Sequence, residues 1–207
     1  MHIVSVDEKT GIQALERAHP THQMEPGKPE AVEYEYERHG TQALIANFEV
    51  ATGQVISPTV GDTRTEDDFV KHIVTTVKTD PQGQWIFICD QLTHKAATLA
   101  QAIAQLCGIE DDMGVKGKNG ILHNMDSRAT FLQDENHRIR FLYTPKHCSW
   151  LNQVEIWFSI LNRRLLKRGN FKSTGELKQR ILGFIDFFNN TLAKPFRWTY
   201  IGKPLMI

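Results

Sequence analysis

The stretch whose reading decides the fold is FLYTPKHCSWLNQVEIWFSILNRRLLKR, residues 141–168. Phe141, Leu142 and Tyr143 read as the end of a short apolar strand. Pro145 stops it, because proline cannot donate to a strand ladder. Ser149 suits a helix N-cap. Beyond it Leu151, Val154, Phe158, Leu161 and Leu165 recur every three or four residues, which predicts a helix with those residues inward. Glu155 falls on the edge of that stripe, beside Asn162. Arg163, Arg164, Lys167 and Arg168 crowd the end of the same helix. A carboxylate bordering an apolar face, with cations further along, suits a metal site facing a polyanion. Taken alone, the pattern is more simply a partly solvated Glu on an amphipathic helix.

Upstream, QWIFIC (84–89) is a continuous apolar run, as expected of a strand buried on both faces, and it ends on Asp90. A helix is expected from about Thr93 to Cys107, with Ala96, Leu99, Ile103 and Leu106 inward. Further back, TQALIANFEV (41–50) and QVISPTV (54–60) read as a hairpin closed by Ala51-Thr52-Gly53. Thr65 caps a helix whose first turn is acidic and whose inward residues are Phe69, Ile73, Val74 and Val77. HIVSV (2–6) is a short strand running into Asp7 and Glu8. Residues 9–40 read as polar and irregular, except that Glu33, Glu35 and Glu37 alternate with Tyr34, Tyr36 and Arg38 as on one exposed strand face. In them His19 and His22 lack further ligands nearby, so no zinc site is expected.

Between the helix ending at Cys107 and the last strand, residues 108–137 read as a Gly/Lys-rich insertion with a short helix near 125–133. Lys116 and Lys118 there could touch phosphate or merely be solvated. Downstream, a final helix begins near Ser173, with Glu176 completing a capping box. The tail from 193 is aromatic and basic and is expected to pack back. Strands alternating with helices predict an α/β layered fold.

Length and composition agree. The 207 residues are 41% hydrophobic, enough for a core, and no apolar run is long enough to span a membrane. Nothing at the N-terminus resembles a signal peptide, so a cytoplasmic location is expected. Cys89, Cys107 and Cys148 have no paired spacing and fit a reducing compartment. Net charge is zero but uneven: residues 1–109 carry 8 Lys/Arg and 15 Asp/Glu, residues 110–207 carry 16 and 9. A basic face towards the C-terminal half would suit a phosphate backbone.

Three acids stand out by position. Asp7 ends the first strand, Asp90 ends the buried strand, and Glu155 opens the helix after the last strand. Ligands of α/β sheets gather where strands end at their carboxyl side. Carboxylates are the ligands hard divalent cations take. Each acid has a plainer role available, as turn residue, helix cap or surface group. Their joint placement favours a site.

The chain also resembles the catalytic domain of DDE transposases, of the bacterial insertion-sequence branch of the mariner-like superfamily. The matching stretches are SVDEKTG (5–11), WIFICDQLTHK (85–95), TPKHCSWLNQVEIWFSIL (144–161) and AKPFRWTYIGKPL (193–205). The resemblance implies a ribonuclease-H-like mixed sheet flanked by helices, two Mg²⁺ or Mn²⁺ ions, and cutting and joining of double-stranded DNA. By motif, Asp7, Asp90 and Glu155 would be the catalytic and metal-binding triad. His94 and Asn152 would orient ligands or substrate. Arg163, Arg164, Lys167 and Arg168, with Lys116 and Lys118, would hold DNA backbone.

Relatives carry N-terminal helix-turn-helix modules, and none is expected within residues 1–207. A homodimer, or a partner bearing such modules, would then supply end recognition. Relatives also commonly read Asp-Gln-Leu-Asn-Thr-His-Lys after the buried strand. Here one residue, the Asn, is missing between Leu92 and Thr93, which predicts weak or absent cleavage. A remnant that only binds DNA or a partner chain is the alternative function. An unrelated metal-dependent phosphohydrolase on a similar sheet is a second rival.

Overall fold

In the computed structural model of the protein, residues 1–19, 24–29, 35–90, 95–145, 148 and 151–197 are described. Five strands form one sheet: β1 (His2–Arg17), β2 (Tyr36–Glu49), β3 (Gln54–Gly61), β4 (Trp85–Cys89) and β5 (Ile139–Tyr143). Their order across the sheet is β3-β2-β1-β4-β5. The first three make an antiparallel meander, and β4 and β5 run parallel to β1. Five α-helices accompany them: α1 (Glu66–Val77), α2 (Ala97–Cys107), α3 (Met125–Gln133), α4 (Val154–Leu161) and α5 (Thr174–Thr191). The mixed sheet flanked by helices is the architecture expected.

Each face of the sheet has its own core, and strand parity decides which residue enters which. Val4 and Val6 of β1, Ile45 of β2 and Trp85, Phe87 and Cys89 of β4 pack with α1, α2 and α3. Leu44, Ala46 and Phe48 of β2 pack with α4 and α5. Side chains alternate across a strand, so Ser5, Asp7 and Lys9 share the α4 face. Asp7 and Lys9 indeed pair with Ala46 and Leu44 on that face.

Strand β1 is far longer than the short 2–6 strand the sequence suggested. The register shifts between Lys9 and Ile12, where Gly11 has φ 63°. This bulge reverses the parity, so Ile12 and Ala14 also enter the α4–α5 core. A pattern that changes phase midway does not read as alternation, which is why 9–17 looked irregular. The matching part of β2, from Tyr36, agrees with the alternation of Glu37 with Tyr36 and Arg38 read as one exposed strand face.

Other elements fall close to expectation. Thr65 and Asp68 form a reciprocal capping box on α1. Ser173 caps α5, but the Glu176 carboxylate accepts from the Lys172 amide rather than that of Ser173. On α1 the buried polar residues His72 and Thr76 join the inward face, while Val74 is only half-buried. The Asn47 amide bonds the Thr76 hydroxyl (2.8 Å). Thr59 Oγ1 bonds His72 Nδ1 (2.8 Å), and His72 Nε2 has no partner among the described residues.

Helix α4 buries Val154, Trp157, Phe158 and Leu161. Trp157 was not in the expected stripe, although it lies three residues after Val154. Regular α geometry begins only at Val154, and the expected cap Ser149 lies outside the described residues. After Leu161 the helix widens into a π-turn, Asn162–Leu166, closed by Lys167 N donating to Asn162 O (2.8 Å). Phe196, in the part of the tail that is described, stacks on Phe48 at 4.6 Å. Cys89, Cys107 and Cys148 are free thiols. Among the described residues no helix is long and apolar enough to cross a membrane.

Candidate active site

The parallel register of β1 and β4 brings the first two acids together. Ser5 pairs with Ile88. Two residues further on come Asp7, inside β1, and Asp90, the residue just past β4, which strand alternation would put on the same face. Above that face lies α4, whose first turn carries Glu155. The chain locks α4 in place through Ser5. The Ser5 hydroxyl donates to Asn152 Oδ1 and accepts from the Val154 amide at 2.9 Å. Asn152 Nδ2 donates to Val6 O (3.0 Å), and Asn152 O accepts from the Glu155 amide (3.0 Å). Asn152 is fully buried. Glu155 is thereby referenced, through three bonds, to the strand segment that carries Asp7.

The electrostatics record this proximity. Burial pushes the Asp7 carboxyl up to about 7. The Glu8 amide, donating to Asp7 Oδ1 at 2.7 Å, works the other way, and the charges of Glu155 and Asp90 add to the rise. Glu8 is also raised by burial, partly offset by Arg64 at 3.7 Å. A largely buried carboxyl within reach of two further acids is a poor place for net negative charge, and a good one for a divalent cation with hard oxygen ligands. The donor set therefore fits Mg²⁺ or Mn²⁺.

The triad is open. The carboxylate oxygens of Asp7, Asp90 and Glu155 do not all fall within 4.8 Å of one another. Among the described residues the grouping that does is Glu16, Glu37 and His39, nine residues further along β1. There Glu16 and Glu37 face each other across the strands and His39 bonds Glu16 at 2.8 Å. His39 sits between two like charges that would otherwise repel.

Of the remaining expected residues, Asn152 stands directly behind Glu155 and Asp7. His94, with all of 91–94, lies outside the described residues. Arg163 and Arg164 lie on the π-turn and Lys167 and Arg168 just beyond it, all exposed. Glu155, Asn162 and Arg163 border one open depression, which joins the acid to the cations. Lys116 and Lys118 are not brought to them. Their loop is anchored through Met113, Ile121 and Leu122 to the core on the opposite face of the sheet. Gly/Lys composition signals a solvated turn but carries no information about which face it reaches.

Two residues were missed. Ser5 is two positions before Asp7 in the SVDEK stretch, and period-two alternation alone places it on the same face. Lys9, two positions after Asp7, was available by the same count.

The sheet order and the parallel β1–β4 pair flanked by helices define a ribonuclease-H-like fold. Residues 2–178 match the family model described as DDE superfamily endonuclease, and the chain belongs to that family. Similar solved structures include the Mos1 transposase paired-end complex with left transposon end. It is 15% identical, with a TM-score of 0.55 over 89% of this chain and 47% of that one. The Mos1 mariner paired-end complex with Mn gives 15% identity and a TM-score of 0.56, over 89% and 48%. A pre-cleavage Mos1 transpososome gives 14% and 0.56, over 89% and 48%. At this identity the likeness establishes the fold. The chain spans about half the length of these Mos1 chains. No curated protein matches it in sequence.

Proposed function

We propose that this chain is the catalytic part of a transposase, cutting and joining DNA strands with Mg²⁺ or Mn²⁺ held by Asp7, Asp90 and Glu155. The observation that carries the reading is the approach of Asp90, just past β4, and Glu155, on α4, to Asp7 of β1: burial raises the Asp7 carboxyl to about 7, and the charges of Glu155 and Asp90 add to that rise. Family membership supports it, as does the fold shared with Mos1, whose structures include complexes with Mn and with a transposon end. The openness of the triad suits two ions, which sit about 3.5–4 Å apart in such sites. Bound there, they supply polarisation of the phosphate and activation of the attacking water or hydroxyl.

The protein's own part is positional. Asp7 and Asp90 hold one side of the centre from the sheet, and Glu155 closes it from α4. Ser5 and Asn152 keep that helix seated. Arg163, Arg164, Lys167 and Arg168 hold the DNA backbone by charge, without reading sequence. Recognition of the DNA ends is outside the part played by these residues, and a homodimer or a partner chain would bring a second copy of the catalytic site or further DNA contacts.

The test is Mn²⁺-dependent nicking of supercoiled DNA. Nicking that disappears in Glu155→Gln and in Asp90→Asn supports the reading. Equal nicking by Glu155→Gln, or turnover of a small phosphomonoester in preference to DNA, overturns it. Because the sequence after Asp90 lacks the Asn that relatives commonly carry between Leu92 and Thr93, the native rate is expected to be low, and insertion of Asn there to raise it. A misplacement of about 1 Å costs on the order of a hundredfold.

A further inference from the structure

Lys9 occupies a position that no part of the proposed mechanism uses. Three residues of β1 face α4 in turn, and each meets a successive turn of the helix. Ser5 bonds Asn152, Asp7 faces Glu155, and Lys9 reaches Phe158, its Nζ 5.9 Å from the ring centroid. Along a strand two residues advance about 6.6 Å, so the Lys9 backbone follows that of Asp7 by roughly one phosphate spacing. The bulge begins immediately after it. Bulges beside active sites re-aim side chains.

The Lys9 side chain forms the wall opposite α4 in the depression bordered by Glu155, Asn162 and Arg163. It is half-buried, and among the described residues it has no carboxylate within 4 Å. The aromatic face of Phe158 holds the ammonium without neutralising it. On the far wall, Arg163 Nε donates to Ser159 O (3.2 Å), which leaves its terminal nitrogens for another acceptor. Two cations thus flank a cleft that opens beside the acid centre. Acids alone would repel a DNA backbone, and a phosphate neighbouring the cleaved one needs a cation at about this distance.

Resting on the transposase reading, we infer that Lys9 is a substrate-contacting residue: its ammonium binds a non-bridging phosphate oxygen of the DNA strand lying in the depression between β1 and α4. Arg163 holds the same strand from the other side. An alternative role is purely internal, with Lys9 a counter-charge that keeps the acids from repelling one another.

The experiment compares the full chain with Lys9→Met and Lys9→Arg. Lys9→Met keeps the length and the contact with Phe158. Three quantities are read: Mn²⁺ binding by calorimetry without DNA, affinity for a duplex in Ca²⁺ over a range of salt, and nicking in Mn²⁺. We expect Lys9→Met to bind Mn²⁺ at least as tightly as the native chain. Its slope of log affinity against log salt should fall by about 0.9, the value of one phosphate contact. Nicking should drop tenfold or more. Lys9→Arg should keep the native slope. Native DNA affinity and native slope in Lys9→Met would overturn the inference. So would weakened Mn²⁺ binding in that variant, which assigns Lys9 to the internal role. Asp7→Asn run alongside separates the two levels. If it binds Mn²⁺ normally, the acid site itself is misassigned and the role of Lys9 falls with it.

Discussion

Ser5 and Asn152, 147 residues apart in the chain, are joined side chain to side chain. The bond lies two residues before Asp7 and three before Glu155. Both partners are buried, so removing either leaves an unsatisfied polar group, at a cost of about 1–3 kcal/mol. Ser5→Ala and Asn152→Ala should each lower the unfolding free energy by that amount, read from urea unfolding. Each should also weaken Mn²⁺ binding, because Glu155 loses its reference to Asp7. The double variant should lose clearly less than the sum of the two, since both remove one bond. Additive losses would show that the two residues act independently, and unaltered Mn²⁺ binding would confine the pair to stability.

Asp7→Asn separates stability from metal binding. The ionised carboxylate is unwelcome in the metal-free protein. Its rise from 3.8 to about 7, at about 1.4 kcal/mol per pH unit, sets an upper limit of about 4 kcal/mol on that cost at pH 8. Asparagine keeps an oxygen for the Glu8 amide and removes the charge. In chelator, Asp7→Asn should therefore melt above the native chain. In Mn²⁺ the native chain should gain several degrees and the variant almost none. A variant that melts lower in chelator, or that gains as much from Mn²⁺, contradicts the placement of Asp7.

His72 gives a pH dependence away from the acids. Burial holds its imidazole down to about 3, against 6.5 in the unfolded chain. Between those values the unfolded state binds the extra proton. Stability supplied by neutral His72 is complete above 6.5 and is lost as pH falls towards 3, by up to about 1.4 kcal/mol per pH unit. Asp7 acts in the opposite sense over part of this range, so the difference between native and variant curves is the useful quantity. In urea unfolding from pH 4 to 7, the stability of the native chain relative to His72→Gln should rise with pH. Parallel curves would mean that His72 does not titrate as buried.

The elements that were legible share one property: their pattern holds one phase from end to end. QWIFIC and α5 are of this kind. The bulge after Lys9 shifts phase inside β1, and the π-turn at Asn162 does so at the end of α4, so both were read too simply. Asp90 and Glu155 could be picked out because one follows a strand and the other opens a helix, whereas Asp7 was picked because the strand was read as ending there, although it lies inside β1. Ser5 and Lys9 were missed because they lie within a strand, where only the register with β4 and the approach of α4 give them meaning. Lys116 and Lys118 were grouped with the DNA contacts on composition alone, and composition does not say which face of a sheet a loop joins.

That last difference can be measured. Each phosphate contact contributes about 0.9 to the slope of log affinity against log salt for duplex DNA. Arg163 borders the depression beside Glu155, and Arg164 is its neighbour on the same π-turn. The pair Arg163→Gln with Arg164→Gln should reduce the slope by about 1.8 and lower affinity at moderate salt for every sequence alike. Lys116→Gln with Lys118→Gln removes the same charge from a loop on the opposite face. If DNA lies across the α4 side, as the acids require, that second pair should leave the slope within about 0.3 of native. Fluorescence anisotropy on one mixed-sequence duplex reads both. Equal losses from the two pairs would mean that binding follows net charge rather than a face, and the α4 path for DNA would have to be abandoned.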